Sequence, residues 1–269
     1  NNIKIIAEIG WNHMGDMDLA KKMIIKAAEN GADICKFQTW SEKKLKAGPW
    51  DTDGRREIYK KAQLSEDNHK YLIEECEKNN VEFLTSVFEK NSINLLKNIG
   101  VKKIKIPSHE IYNIELISEA CSYFEEVLIS TGASEWKEII KLKNNITFSN
   151  AVFLHCVSAY PCDCEMINLP KILKLKEIFN KVGYSGHLQG IDDAIAAISL
   201  GAIYVEKHFT IDNKLPGRDN QFAILPNDLM KLYHFRNNFE KMNINQGLNL
   251  QDSEKDIFDN YRGRWNKND

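Results

Sequence analysis

Lys-Val-Gly-Tyr-Ser-Gly-His (181–187) and Ile-Tyr-Val-Glu-Lys-His (203–208), separated by one helix-like stretch over 192–200, decide how this chain is read. Each segment holds a short strand-like run and ends on a histidine. In a barrel of alternating strands and helices, two such neighbours deliver His187 and His208 to the same open end. Neutral imidazoles aimed at one point make a metal site, and barrel enzymes do their chemistry at that rim. Taken singly, each histidine is better explained as a hydrogen-bonded residue closing a strand. The other strand ends decide between these readings.

Working outward, short β-branched runs alternate with longer amphipathic stretches along the whole chain. Strands are predicted over 3–9, 33–38, 81–86, 103–106, 126–130, 151–157, 181–185 and 203–207, and helices over 18–30, 66–79, 92–99, 113–122, 134–143, 169–179, 192–200 and 226–239. Gly31, Gly100 and Gly201 each follow a helical pattern and precede a strand, where a left-handed terminating residue is wanted. Eight units in this order predict an α/β fold, a single (β/α)8 TIM barrel, because closure gives every strand two neighbours. An open sheet has the same periodicity and stays as the alternative. The barrel is expected over 1–245, with 246–269 a polar strap carrying Tyr-Arg-Gly-Arg-Trp and no second domain. The longest connection, 39–65, holds Lys43, Lys44, Lys46, Arg55 and Arg56 around Trp50, and reads either as a substrate lid or as a solvated basic loop.

Composition narrows the partners. Lys+Arg 36 against Asp+Glu 38 in 269 residues leaves a net charge of −2, so no global field draws nucleic acid or an anionic membrane. Any anion must be held by a few converging groups. No apolar run has the length of a membrane span, and the first strand carries Lys4 and Glu8, unlike a signal peptide. The six cysteines are scattered through apolar patterns, which suits reduced thiols and a cytoplasmic location; Cys162-x-Cys164 has no second pair to complete a zinc site.

The polar residues at strand ends form one set: Glu8, Lys36, Gln38, Ser86, Lys105, Ser108, Glu110, Ser130, Thr131, Ser158, Tyr160, Ser185, His187 and His208. A lysine inside an apolar strand is costly to bury without a counter-charge. Alone, either Lys36 or Lys105 reads as a salt bridge to a barrel carboxylate. Together with serines on other strands, both read as partners of a buried anion that the protein does not supply, such as a phosphorylated, carboxylated small molecule.

The order of motifs resembles the sialic acid synthases. Ala-Glu-Ile-Gly-Trp-Asn-His-Met-Gly-Asp (7–16), Lys-Phe-Gln (36–38), Lys-Ile-Pro-Ser-His-Glu (105–110), Ser-Thr-Gly (130–132), His-Cys-Val-Ser-Ala-Tyr-Pro (155–161), Tyr-Ser-Gly-His (184–187) and Glu-Lys-His-Phe-Thr (206–210) carry it. The resemblance runs from Ile3 to about Asp219. It implies metal-dependent condensation of phosphoenolpyruvate with an N-acyl amino-sugar aldehyde to a nonulosonic acid. It also implies that His187 and His208 hold a divalent ion, commonly manganese, with magnesium or cobalt as substitutes. Lys36, Ser86, Lys105, Ser108, Ser158 and Ser185 would bind phosphoenolpyruvate, while Gln38, Tyr160 and Asp219 would face the sugar. Lys36, Lys105, Glu8 and Glu110 would act in catalysis, Glu110 moving a proton with a pKa raised by burial. A homodimer is implied as well.

Three departures from the family pattern are visible. Thr85-Ser86-Val87-Phe88 replaces Ser-Thr-Pro-Phe, Ser158 stands where an asparagine is common, and the chain stops near the linker to the usual C-terminal antifreeze-like domain. Two other functions compete: a Schiff-base aldolase using Lys105 or Lys36 as nucleophile, and an inactive barrel serving as a binding subunit. Two histidines in metal-like positions weigh against the first, and the full motif set against the second.

Overall fold

The computed structural model describes residues 3–145 and 149–265. Eight parallel strands pair in sequence order: β1 (Lys4–Gly10), β2 (Ile34–Thr39), β3 (Glu82–Val87), β4 (Lys103–Ile106), β5 (Glu126–Ser130), β6 (Ala151–Cys156), β7 (Val182–Gly186) and β8 (Tyr204–His208). Closure comes from β8 returning to β1, with Glu8 in register with His208, so the open-sheet alternative is excluded. Around the barrel run α1 (Met17–Glu29), α2 (Arg55–Ala62), α3 (Glu66–Lys78), α4 (Lys90–Asn98), α5 (Ile114–Tyr123), α6 (Trp136–Asn145), α7 (Pro170–Ile178), α8 (Asp192–Ser199) and α9 (Pro226–Met242). All but α2 lie within a turn of their predicted positions. Gly31, Gly100 and Gly201 take φ of +91°, +83° and +89°, the left-handed turns expected between helix and strand.

Strand alternation sorts the barrel into layers. Ile5, Ala7, Ile9, Phe37, Ile104, Ile106, Val127 and Ile129 face outward and join the core beneath the helices. Inside, Ile6, Ile34, Leu84, Leu128, Leu154 and Tyr204 form a small apolar plug. Beneath it, Lys4, Glu82, Lys103, Glu126 and Lys181 pair around the amino-terminal mouth. Two residues further along each strand, the plug residues give way to Glu8, Lys36, Ser86, Ser130, Cys156 and Glu206, all buried. The site is therefore the next inward layer above the plug.

One end of the barrel is tied by α9: Arg236 Nη1 donates to the Ile3 carbonyl at 2.7 Å and to Asp33 Oδ2 at 2.8 Å. Connection 39–65 differs from expectation. It holds α2 and two single 3-10 turns, braced by Arg56, whose guanidinium bonds Glu42 and Asp51. Helix α2 escaped the periodicity because Ala62 is its only buried residue, so no apolar stripe marks it. Beyond α9, every described residue from Asn243 to Trp265 is exposed; residues 266–269 of the predicted strap lie outside the described residues. Among the described residues no helix is long and apolar enough to cross a membrane.

Candidate active site

Lys36 and Lys105 enter the barrel from β2 and β4 and meet one carboxylate. Lys105 Nζ lies 2.7 Å from Glu206 Oε1, and Lys36 Nζ lies 3.6 Å from the same oxygen and 2.6 Å from Glu8 Oε2. Ser86 Oγ accepts from Lys36 at 3.1 Å, and Ser185 Oγ lies 3.2 Å from Lys105 and donates to Glu206 at 3.1 Å. This corrects the sequence expectation that no protein carboxylate answers these lysines: Glu8 and Glu206 both do. Glu206 was overlooked, although alternation with Tyr204 and His208 puts it on the inward face.

The electrostatics follow from burial. Burial pushes the Glu206 carboxyl up, but Lys105 and Lys36 together outweigh it and hold it below the usual carboxylate range. Burial lowers Lys36, yet Glu206 and Glu8 more than compensate and keep it a firm ammonium. Such an ammonium is a poor nucleophile, which argues against Lys36 as the nucleophile of a Schiff-base aldolase. Glu8 is raised, by burial first and then by the charge of Glu206, against the pull of Lys36. Gln38 Nε2 donates to Glu8 Oε1 at 2.6 Å. Gly10 lets β1 turn here with φ +55°, because a Cβ at that position would sit 3.0 Å from Glu8 Oε1 and 3.1 Å from Gln38 Nε2. Glu206 Oε2, buried, has no hydrogen-bond partner.

Beside the lysines, hydroxyls from two strand ends converge on a glycine. An added Cβ at Gly132 would fall 2.6 Å from Ser158 Oγ and 2.7 Å from Ser108 Oγ. Both hydroxyls also lie against the Cys156 thiol, whose proton is retained mainly because of burial. Below them the Ser130 hydroxyl is buried with no partner. An unpaired buried hydroxyl in the layer of the Lys36 ammonium suits an incoming anion. Ser130 belongs with Ser108 and Ser158, although the sequence reading assigned it no role; its signal is the inward register above Leu128. Gly132→Ala is expected to weaken anion binding by on the order of tenfold, because both hydroxyls must move. Titration calorimetry with inorganic phosphate tests this, and unchanged affinity would remove Gly132 from the cradle.

His187 follows β7 directly and His208 ends β8, with ring centroids 5.4 Å apart. His187 Nδ1 donates to the Val157 carbonyl at 2.7 Å, which leaves Nε2 as a lone-pair donor. Burial pushes His187 down to about 4 and, with His187 and the lysines, drives His208 well below its ordinary value. His208 Nδ1 makes no hydrogen bond and lies 3.5 Å from Asp219 Oδ2. Burial lifts Asp219 to about 6. Two neutral imidazoles and a nearby carboxylate fit a divalent ion in which open positions take oxygen ligands. Among the described residues no set of three or more His, Cys, Asp or Glu is arranged to enclose a metal. Tyr160 stands over His187 with ring centroids 4.1 Å apart.

Glu110 sits apart from this group. It is half-buried in the turn Ser108–Glu110, raised by burial, with Asn113 and Lys46 as the other influences and neither Lys36 nor Lys105 among them.

Buried imidazoles also set the response to acid. His13, His69, His155, His187 and His208 are all buried and all lowered, chiefly by burial. Below about 6.5 the unfolded chain binds protons that the folded chain refuses, so their stabilising contribution fades as pH falls from there toward 4. Glu8, Asp219 and Glu110, being raised, work in the opposite direction, three groups against these five. The unfolding free energy should therefore drop between pH 7 and pH 5, by about 1.4 kcal/mol per pH unit for each excess proton, and the urea midpoint with it. A midpoint that rises over this interval would contradict the burial of these rings as neutral groups.

The chain is also similar to known proteins in sequence and fold. Residues 23–246 match the model of the NeuB family. The chain is 37% identical over 245 residues to the N,N'-diacetyllegionaminic acid synthase of Campylobacter jejuni, covering 85% of this chain and 73% of that one. It is 31% identical over 261 residues to the N-acetylneuraminate-9-phosphate synthase of Drosophila melanogaster, covering 91% and 70%. The crystal structure of an N-acetylneuraminic acid synthetase from Leptospira borgpetersenii in complex with citrate superimposes with a TM-score of 0.87 at 32% identity, over 98% of this chain and 92% of that one.

Proposed function

The chain belongs to the NeuB family, and from that premise we propose that it condenses phosphoenolpyruvate with an N-acyl amino-sugar aldehyde. The products are a sialic-acid-type nonulosonic acid and inorganic phosphate. The observation that carries this reading is the convergence of Lys36 and Lys105 on Glu206, with Glu8, Ser86 and Ser185 beside them and His208 at the next inward position of β8.

In the reaction, C3 of phosphoenolpyruvate bonds to the aldehyde carbon, water adds to C2, and the tetrahedral intermediate expels phosphate by C–O cleavage. Lys36 and Lys105 would hold the carboxylate and phosphate, with Ser86, Ser185, Ser108 and Ser158 donating hydrogen bonds; Ser130 joins them. Glu206 keeps the two ammonium groups a fixed distance apart before the anion arrives. Orientation of the enol carbon over the aldehyde supplies much of the acceleration. Gln38, Tyr160 and Asp219 would face the sugar. Glu8, kept partly protonated by burial, is placed to give or take a proton beside Lys36. Glu110, at the rim, would handle protons of the leaving group or of entering water. His187 and His208 would hold the divalent ion, manganese by preference, and when bound it supplies Lewis acidity to the sugar carbonyl.

Purified protein with manganese and phosphoenolpyruvate should release inorganic phosphate only when an N-acyl sugar is added. Phosphate release independent of any aldehyde, or a lysine adduct trapped by borohydride, would point to other chemistry.

A further inference from the structure

A buried polar cluster stands behind the histidine pair, on the outer face of the barrel. Alternation along β8 turns Glu206 and His208 inward and Lys207 outward, toward the start of α8. There Lys207 Nζ donates to Asp193 Oδ1 at 2.9 Å, to Asp193 Oδ2 at 2.8 Å and to the Leu188 carbonyl at 2.7 Å. The Tyr184 hydroxyl, outward on β7, donates to Asp193 Oδ2 at 3.0 Å. Three bonds thus answer the three ammonium protons, although the Lys207 and Asp193 side chains are only 2% and 0% exposed.

The cluster bears directly on the two histidines. Leu188 follows His187 in the chain and Lys207 precedes His208, so one side chain ties together the backbones that carry both rings. The β7–β8 ladder ends with Gly186 opposite Lys207, and the bond to Leu188 extends the link beyond it. Gly186 admits this arrangement, because a Cβ there would fall 2.2 Å from Asp193 Oδ2. On its other side the segment is held by the connection after β6: His187 Nδ1 donates to the Val157 carbonyl, and the His187 carbonyl accepts from the Cys162 N–H at 3.0 Å. His208 Nδ1 makes no hydrogen bond, so the place of that ring depends on where β8 carries it. A buried ion pair is a costly way to fill space, since apolar residues of similar volume are often as stable or more so. What an apolar pair lacks is a donor aimed at one carbonyl.

We propose that Lys207 is a positioning residue for the divalent ion: by gripping the Leu188 carbonyl, with Asp193 as its counter-charge, it sets the spacing of His187 and His208. This rests on the assignment of the two histidines to the ion, and adds the device that fixes their separation. Facing away from the barrel interior, the lysine acts through the backbone and does not touch the ion, as outer partners of ligating histidines do elsewhere.

The test is a pair of calorimetric titrations, one with manganese chloride and one with inorganic phosphate, on the parent and three variants. Lys207→Met removes the donor but strands the Asp193 carboxylate. The double variant Lys207→Met with Asp193→Leu removes both charges and carries the test if the single variant fails to fold. Both should bind manganese about ten- to a hundredfold more weakly. Their phosphate affinity should move less than about twofold, because the Lys36 and Lys105 cradle shares no partner with Lys207. Tyr184→Phe loosens the same cluster by one hydroxyl bond yet spares the bond to Leu188, and should bind manganese within about twofold of the parent. Parental manganese affinity in the double variant overturns the role of Lys207 while leaving the histidine assignment intact. Equal weakening in Tyr184→Phe, or phosphate affinity that falls in step with manganese affinity, overturns it too, since either means general loosening. Absence of specific manganese binding by the parent removes the histidine assignment, and the positioning role falls with it.

Discussion

Lys105→Ala is expected to abolish synthase activity, by at least a thousandfold in kcat/KM, and to destabilise the fold as well. Both effects come from one contact, the 2.7 Å pair with Glu206 in the barrel interior. Removing one member of a buried ion pair typically costs about 3–5 kcal/mol, because the other charge is left without its partner. The lower end applies here, since Lys36 remains 3.6 Å from Glu206. About 3 kcal/mol in a domain of this size corresponds to a fall in Tm of roughly 10 °C. The double variant Lys105→Ala with Glu206→Gln separates the two effects. It removes the stranded charge and should regain most of the lost Tm, yet stay inactive for want of the ammonium group. A single variant that melts like the parent would mean that Glu206 is satisfied elsewhere, and the two-lysine cradle would lose its organising carboxylate.

Replacing both His187 and His208 by alanine should eliminate specific manganese binding in a calorimetric titration. Phosphate release with phosphoenolpyruvate and an N-acyl sugar should fall by on the order of a thousandfold or more. The stability consequence has the opposite sign from that of the lysine variant. Neither ring carries a charge at neutral pH, and both oppose folding in acid because burial denies them a proton. The double variant should therefore lose less stability than the parent between pH 7 and pH 5, although truncation leaves a small void at the rim. Phosphate release that survives in this variant at the parental rate would refute the assignment of the histidines to a metal. Retained manganese binding with lost activity would instead relocate the ion.

Much of this was legible in the chain itself. Each strand was placed to within a residue at either end, because β-branched runs bounded by helix caps leave little freedom, and eight of them in strict alternation with helices favour closure. The candidate site residues could be collected from the chain because the barrel puts strand carboxyl ends at one rim, so polar residues ending apolar runs fall together. Glu206 and α2 were missed for different reasons. Glu206 lies between residues already given meanings, and its partners, Lys36 and Lys105, are on strands remote in sequence. α2 is polar on nearly all sides and is held by ion pairs such as Arg56 with Glu42, which periodicity does not register.

Local pattern thus determined which residues face inward and at which end, since side-chain alternation is a property of each strand alone. Which inward residues touch was decided only by closure and register. Setting Glu8 opposite both Lys36 and His208 requires β1 to lie between β2 and β8, a relation across nearly the whole chain. The same holds for charge state: the lowered imidazoles and the carboxylate shared by two lysines arise from burial, and burial exists only once the barrel has closed around them.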